Sequence, residues 1–127
     1  MENEEIVRVA KLWMGDDGIV RIIHIPGAEV TLEDAQETMA AYLKLNNGKR
    51  RPLFIDTKTM KSMTRETRQY YAGEEAAKVA SAAAIVVGTP VSRVLGNFYI
   101  GLSNPRLPSR LFSSENEALE WLKGYIE

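Results

Sequence analysis

The chain contains no cysteine and a single histidine, His24. The first absence removes disulfides, thiol nucleophiles and thiolate metal sites together. The second leaves only scattered carboxylates as metal ligands, so no metal site and no cofactor are expected. No apolar run approaches the ~18 residues that a membrane-spanning helix requires, and the opening MENEEIVRVAK is acidic where an export signal is basic and then apolar. An unexported, cytoplasmic protein is the expectation. Charge of one sign is missing as well, since 16 basic side chains face 17 acidic ones. No global field is then available to hold nucleic acid by its phosphates. A glycine-rich phosphate loop is also lacking, because Gly96 and Gly101 fall inside a helical pattern and not between a strand and a helix.

What is present fits one domain spanning residues 1–127, long enough to bury a core without covalent staples. Residues 1–5 read as a frayed end. Val7–Met14 and Ile19–Ile25 read as two strands joined by the turn Gly15-Asp16-Asp17-Gly18, and Pro26-Gly27 stops the second. Thr31 has the character of a helix N-cap, with Glu33 and Asp34 in the first turn where the helix dipole favours negative charge. Leu32, Ala35, Met39, Tyr42 and Leu43 then recur at helical spacing until Asn46-Asn47-Gly48. The run Leu53–Asp56 is apolar up to its last residue, which predicts an interior strand covered on both faces.

The helical pattern resumes at Thr64 and has a weak point at Gly73. Ala83–Val87 reads as a second buried strand, and Gly88-Thr89-Pro90 supplies a strand end, an N-cap and a proline suited to the first helical position. The helix that follows, to Ser103, is apolar nearly all round, so part of it must be covered by its own domain or by a partner. A loop leads to a short strand at Leu111-Phe112. Ser114 with Glu117 then opens a terminal helix whose core face is Ala118, Leu119, Leu122 and Ile126. The order ββαβαβαβα predicts an α/β fold, with a mixed sheet of about five strands and covering helices.

This order, the strand-to-helix junction at residues 53–68 and the closing RLFSSENEALEWL resemble the STAS domain, and more closely its small stand-alone SpoIIAA-like (anti-sigma-factor antagonist-like) relatives. The likeness runs over residues 7–126. It implies a non-enzymatic regulatory or protein-interaction module. In anti-sigma-factor antagonists the junction helix opens with a serine that a partner kinase phosphorylates. The corresponding stretch here is Ser62-Met63-Thr64-Arg65, with Met63 at the phosphoacceptor position, so that role does not transfer. Thr64 keeps a hydroxyl beside it and is also a good N-cap.

The junction is the chemically distinctive stretch. Within residues 49–68, Lys49, Arg50, Arg51, Lys58, Lys61, Arg65 and Arg68 stand against only Asp56 and Glu66. Strand ends followed by helices are where open α/β sheets bind ligands. The alternative function is therefore a binder of a small anionic or partly apolar ligand, in a crevice between the 56–65 and 88–93 turns. Asp56 and Thr57 would orient a hydroxyl there, Thr64, Thr89 and Ser92 would stand at helix starts, and Arg65 and Arg93 would add positive charge. Asp56 serves equally well as a turn-pinning residue, and Thr64 and Thr89 as caps. No catalytic residues are identified: an enzyme would need Asp56, Thr64 and His24 in one cleft, and His24 has no serine or cysteine motif to activate. The expected partner is a second copy of the chain, through Val94, Phe98, Tyr99 and Leu102, with Gly96 and Gly101 allowing close approach.

Overall fold

A computed structural model describes residues 4–127. Its main sheet has six strands in the order β1 (Glu4–Ile6), β2 (Ala10–Met14), β3 (Val20–His24), β5 (Arg51–Asp56), β7 (Ala80–Val86) and β8 (Ser109–Phe112). The first two pairings are antiparallel and the last three parallel, giving the mixed sheet that the element order implies. Helices α1 (Leu32–Leu45), α2 (Arg65–Ala72), α3 (Glu74–Val79) and α4 (Pro90–Gly101) lie in the crossovers. A terminal helix α5 (Glu115–Leu122) runs into a 3₁₀ turn at Lys123–Tyr125. A two-residue strand β4 (Glu29–Val30) pairs in parallel with β6 (Ser62–Met63) as a separate small ladder.

The strands differ from the expectation in several places. Glu4 and Glu5, expected in a frayed end, pair with Trp13 and Leu12 in β1, while residues 1–3 lie outside the described residues. β2 begins at Ala10 where Val7 was expected, β8 begins at Ser109 where Leu111 was expected, and the β4–β6 ladder was not expected. β7 also starts three residues earlier than its apolar run, because Ala80, Ser81 and Ala82 are small enough to be buried between two layers. Ser81 meets its burial by donating its hydroxyl to the Tyr125 carbonyl at 2.8 Å.

The period-two alternation of the strands separates the two cores. On one face Ile19, Phe54, Ala82, Ala84 and Val86 pack beneath α5 with Ala118 and Leu122. On the other, Val20, Ile22, Ala83 and Tyr42 belong to the core beneath α1 and α3, with Leu53 and Ile55 packed against it. β5 therefore has both faces covered and sits between β3 and β7, as its sequence demands. Its register slips at Arg51/Pro52, where proline has no N–H to contribute to the ladder.

Helix starts follow the caps. Thr31 and Asp34 form a reciprocal capping box, and so do Thr89 and Ser92. Thr64 accepts from the Thr67 amide, and Gly73 separates α2 from α3. Asn47 and Gly48 stop α1 with positive φ of 54° and 73°. Leu43 departs from the predicted stripe and is exposed, because the buried line runs through Ala35, Thr38, Ala41, Tyr42 and Leu45. Ile126 is exposed too: the helix tightens after Leu122, and Trp121 and Tyr125 pack on that core instead. No helix of the described residues is long and apolar enough to cross a membrane.

Candidate functional site

The ends of β5 and β7 do meet. The Thr57 amide and hydroxyl both donate to the Val86 carbonyl, at 2.9 and 3.0 Å, and the Lys58 stem lies against Gly88, where a Cβ would come within 3.0 Å of it. Asp56 pins the turn, with Oδ1 accepting from the Lys58 amide at 2.9 Å. Lys58 itself ends between Asp56 and Glu115, and its hydrogen bond to Glu115 raises its pKa. The Lys58 charge is thus neutralised within the chain.

The other predicted residues sit around this corner with their local bonds already made. Thr64 caps α2, and its amide donates to the Val30 carbonyl at 3.1 Å, tying the helix start to the β4–β6 ladder. Arg65 follows it on an exposed turn. Thr89 and Ser92 cap α4 for each other, and the buried Ser92 hydroxyl accepts from the amides of both Gly88 and Thr89. Arg93 reaches the Ser113 hydroxyl at 3.1 Å, beside a shallow concavity of about 130 Å³ next to β8. Asp56, Thr57 and the Gly88-Thr89 loop therefore come together, whereas Arg93 is committed to the β8 flank.

The surface helix α4 is divided lengthwise. Ser92, Gly96 and Tyr99 form its buried line. Tyr99, expected at a subunit interface, belongs to the core because its ring packs with Ile85 and Val87 and its hydroxyl donates to the Tyr71 carbonyl at 3.2 Å. Gly96 likewise serves the monomer: a Cβ there would stand 2.8 Å from Leu111 Cδ2. On the outer side Val91, Val94, Phe98 and Leu102 are 50, 50, 45 and 71% exposed. Their spacing of three, four and four residues makes one stripe. Arg68 of α2 stacks at 5.7 Å from the Phe98 ring and donates to Ser103, closing one edge. Gly101, seven residues after Val94 and so two turns along, has nothing within 4 Å of a Cβ.

Beneath α1, α2 and α4 lies a cavity of about 80 Å³. Met63 lines this cavity from β6, so the junction turns a thioether inward. His24 also lines it, on the face of β3 shared with Ile22. Its inward phase in the alternation Val20, Ile22, His24 was visible in the sequence. The group it lacks as a partner was not.

A crystal structure from Shewanella loihica PV-4, described as an uncharacterized protein of the DUF3478 family with a SpoIIAA-like fold, superposes with a TM-score of 0.59 at 13% identity, covering 94% of this chain and 90% of that one. The fold is thus SpoIIAA-like. A protein with unknown function from Arthrobacter sp. FB24 is 32% identical over 87% of this chain and 96% of its own, with a TM-score of 0.34. No curated protein matches the sequence. The family described as Domain of unknown function (DUF7793) matches residues 12–126, nearly the whole sheet and all five helices, and the chain belongs to that family.

Proposed function

We propose that the protein is a non-catalytic interaction module of SpoIIAA-like fold that works as a homodimer, with α4 of one copy packed on α4 of the other. The observation that carries this reading is the exposed stripe Val91, Val94, Phe98 and Leu102 on a helix whose opposite side is buried. Scattered exposed apolar residues need no explanation, but four on one helix line form a contiguous patch. The stripe carries no charge. Arg68 stays at its edge, held by Phe98 and Ser103, and Arg93 is turned to Ser113. An uncharged stripe lacks the charge pattern that selects a different partner and is self-complementary about a twofold axis, while Gly101 lets a second backbone come close. The regulatory role rests on the fold likeness and on the polar groups at the β5 and β7 ends being used for structure.

The dimer is tested by substitution at the centre of the stripe. Phe98→Asp places two carboxylates in an isologous contact and is expected to raise the dissociation constant on the order of 100-fold, as loss of a central aromatic anchor does. Leu43→Asp, which changes an exposed leucine of α1 away from the stripe, is expected to leave assembly unchanged. Sedimentation equilibrium across the micromolar range reads both. Equal masses for wild type and Phe98→Asp would remove the α4 interface.

A further inference from the structure

On the wall of the cavity beneath α1, α2 and α4, one buried side-chain nitrogen has no hydrogen-bond partner among the described residues, and its chemistry is defined by the bonds around it. His24 Nδ1 lies 3.0 Å from the Asp56 carbonyl oxygen. A carbonyl only accepts, so Nδ1 carries the proton and Nε2 presents a lone pair. The residue is 8% exposed, and Nε2 is buried with no hydrogen-bond partner among the described residues. Burial lowers the pKa of His24, so the ring is neutral and Nε2 remains an acceptor.

Four of the other polar side chains on the wall donate elsewhere: Thr38 gives its proton to the Asp34 carbonyl at 2.8 Å, Thr57 to Val86 at 3.0 Å, Tyr42 to Val79 at 2.6 Å and Tyr99 to Tyr71 at 3.2 Å. The fifth, Tyr71, has its hydroxyl beside Thr38, whose oxygen is able to accept from it. The rest of the wall is aliphatic or thioether apart from Gly96, and no Lys, Arg, Asp or Glu is part of it. A buried acceptor without a donor is costly, and a group that supplies the donor recovers that cost.

We propose that this cavity is a binding site for a small, uncharged, mostly aliphatic molecule with one O–H donor, which hydrogen-bonds to His24 Nε2. Charge is excluded because no wall residue would neutralise it. An anionic carboxylate is excluded twice over, since it would also set lone pair against lone pair. The cavity's 80 Å³ is about half of the ~150 Å³ that takes benzene elsewhere, so the occupant is a short chain with fewer heavy atoms than benzene. Met39, Met60 and Met63 on the wall are unbranched and adjust to the length of that chain. The site lies directly under the Asp56-Thr57 turn, and its carrying observation, the orphaned nitrogen, is independent of α4 pairing.

The test uses the full chain labelled with ¹⁵N-histidine and three probes: propan-1-ol, ethyl methyl ether of the same heavy-atom count, and propanoate. Propan-1-ol is expected to shift the Nε2 resonance upfield as it accepts a hydrogen bond, and to bind about tenfold or more tightly than the ether, which has no donor to give. Propanoate at neutral pH is expected not to bind. In His24→Leu the preference for the alcohol over the ether should vanish, with the amide spectrum showing that the variant is folded. The comparison of alcohol with ether on the wild-type protein stands even where the variant does not fold. An Nε2 resonance that already reports a bonded proton would overturn the proposal. Equal affinity for alcohol and ether, or no movement of Nε2 at saturating propan-1-ol, would overturn it too.

Discussion

Truncation of Phe54 to alanine is expected to lower the unfolding free energy by about 3–5 kcal/mol, the usual cost of removing a buried phenylalanine. The upper half of that range applies here. Phe54 is 3% exposed in the interior strand β5, and its neighbours across the strand and on the same face include Ala82 and Ala84 of β7, which are too small to swing into the space. The lost ring also faces Ala118 and Leu122, the residues that hold α5 to the sheet. Against a total stability of roughly 5–15 kcal/mol for a domain of this size, such a loss is a large fraction. Urea unfolding is the measurement. A midpoint close to that of wild type, corresponding to less than about 1 kcal/mol, would mean that β5 is not the covered central strand.

The second large effect belongs to Asp34. Its carboxylate receives the Arg8 guanidinium at 2.7 and 2.5 Å, and accepts from the Thr31 amide and hydroxyl, each at 3.0 Å. The Arg8 hydrogen bond is the main reason its pKa falls to about 2. A carboxyl with a lowered folded-state pKa adds stability that is fully present above its unfolded value near ~3.9. That stability is lost as pH falls through about 2, where the folded-state carboxyl takes up its proton. Asp34→Ala is therefore expected to cost about 1–2 kcal/mol at neutral pH through the lost cap. Much of that difference should disappear between about pH 4 and pH 2 as the wild-type carboxyl protonates. Denaturation midpoints measured for both proteins along that pH series check it. A gap that stays constant down to pH 2 would show that the ionised form is not what matters.

Much of the frame was legible because its signals are local. Thr31 with Asp34, Thr89 before Pro90 and Gly73 between two helical runs each announce a helix boundary within four residues, and each is found where expected. The apolar run ending at Asp56 marked an interior strand because only a strand covered on both faces dispenses with alternation. Glu4–Ile6 gave no such signal: it is a three-residue edge strand with two glutamates, held by backbone pairing and by ion pairs of Glu4 with Lys11 and Glu5 with Lys44 that no local pattern announces. The β4–β6 ladder is only two residues long and carries no pattern. The Arg8–Asp34 pair links positions 26 residues apart, and the Lys58–Glu115 pair positions 57 apart, so neither follows from spacing.

The candidate sites divide in the same way. The approach of the β5 and β7 ends was readable from the order of parallel strands. That their hydroxyls would be used in caps was already one of the two roles open to Thr64 and Thr89. Tyr99 was placed on the wrong side of α4 because a helix apolar on several faces does not show which one turns inward. Only Ile85, Val87 and the Tyr71 carbonyl decide that. The orphaned His24 nitrogen could not be foreseen, since it depends on the Asp56 carbonyl 32 residues away taking the other one.

The pairing of two copies through α4 is reached most directly by native mass spectrometry of untreated protein at micromolar concentration. The expected dominant species has twice the 14.2 kDa chain mass and is reduced to the single-chain mass by Phe98→Asp. A wild-type spectrum containing only the single chain would contradict it.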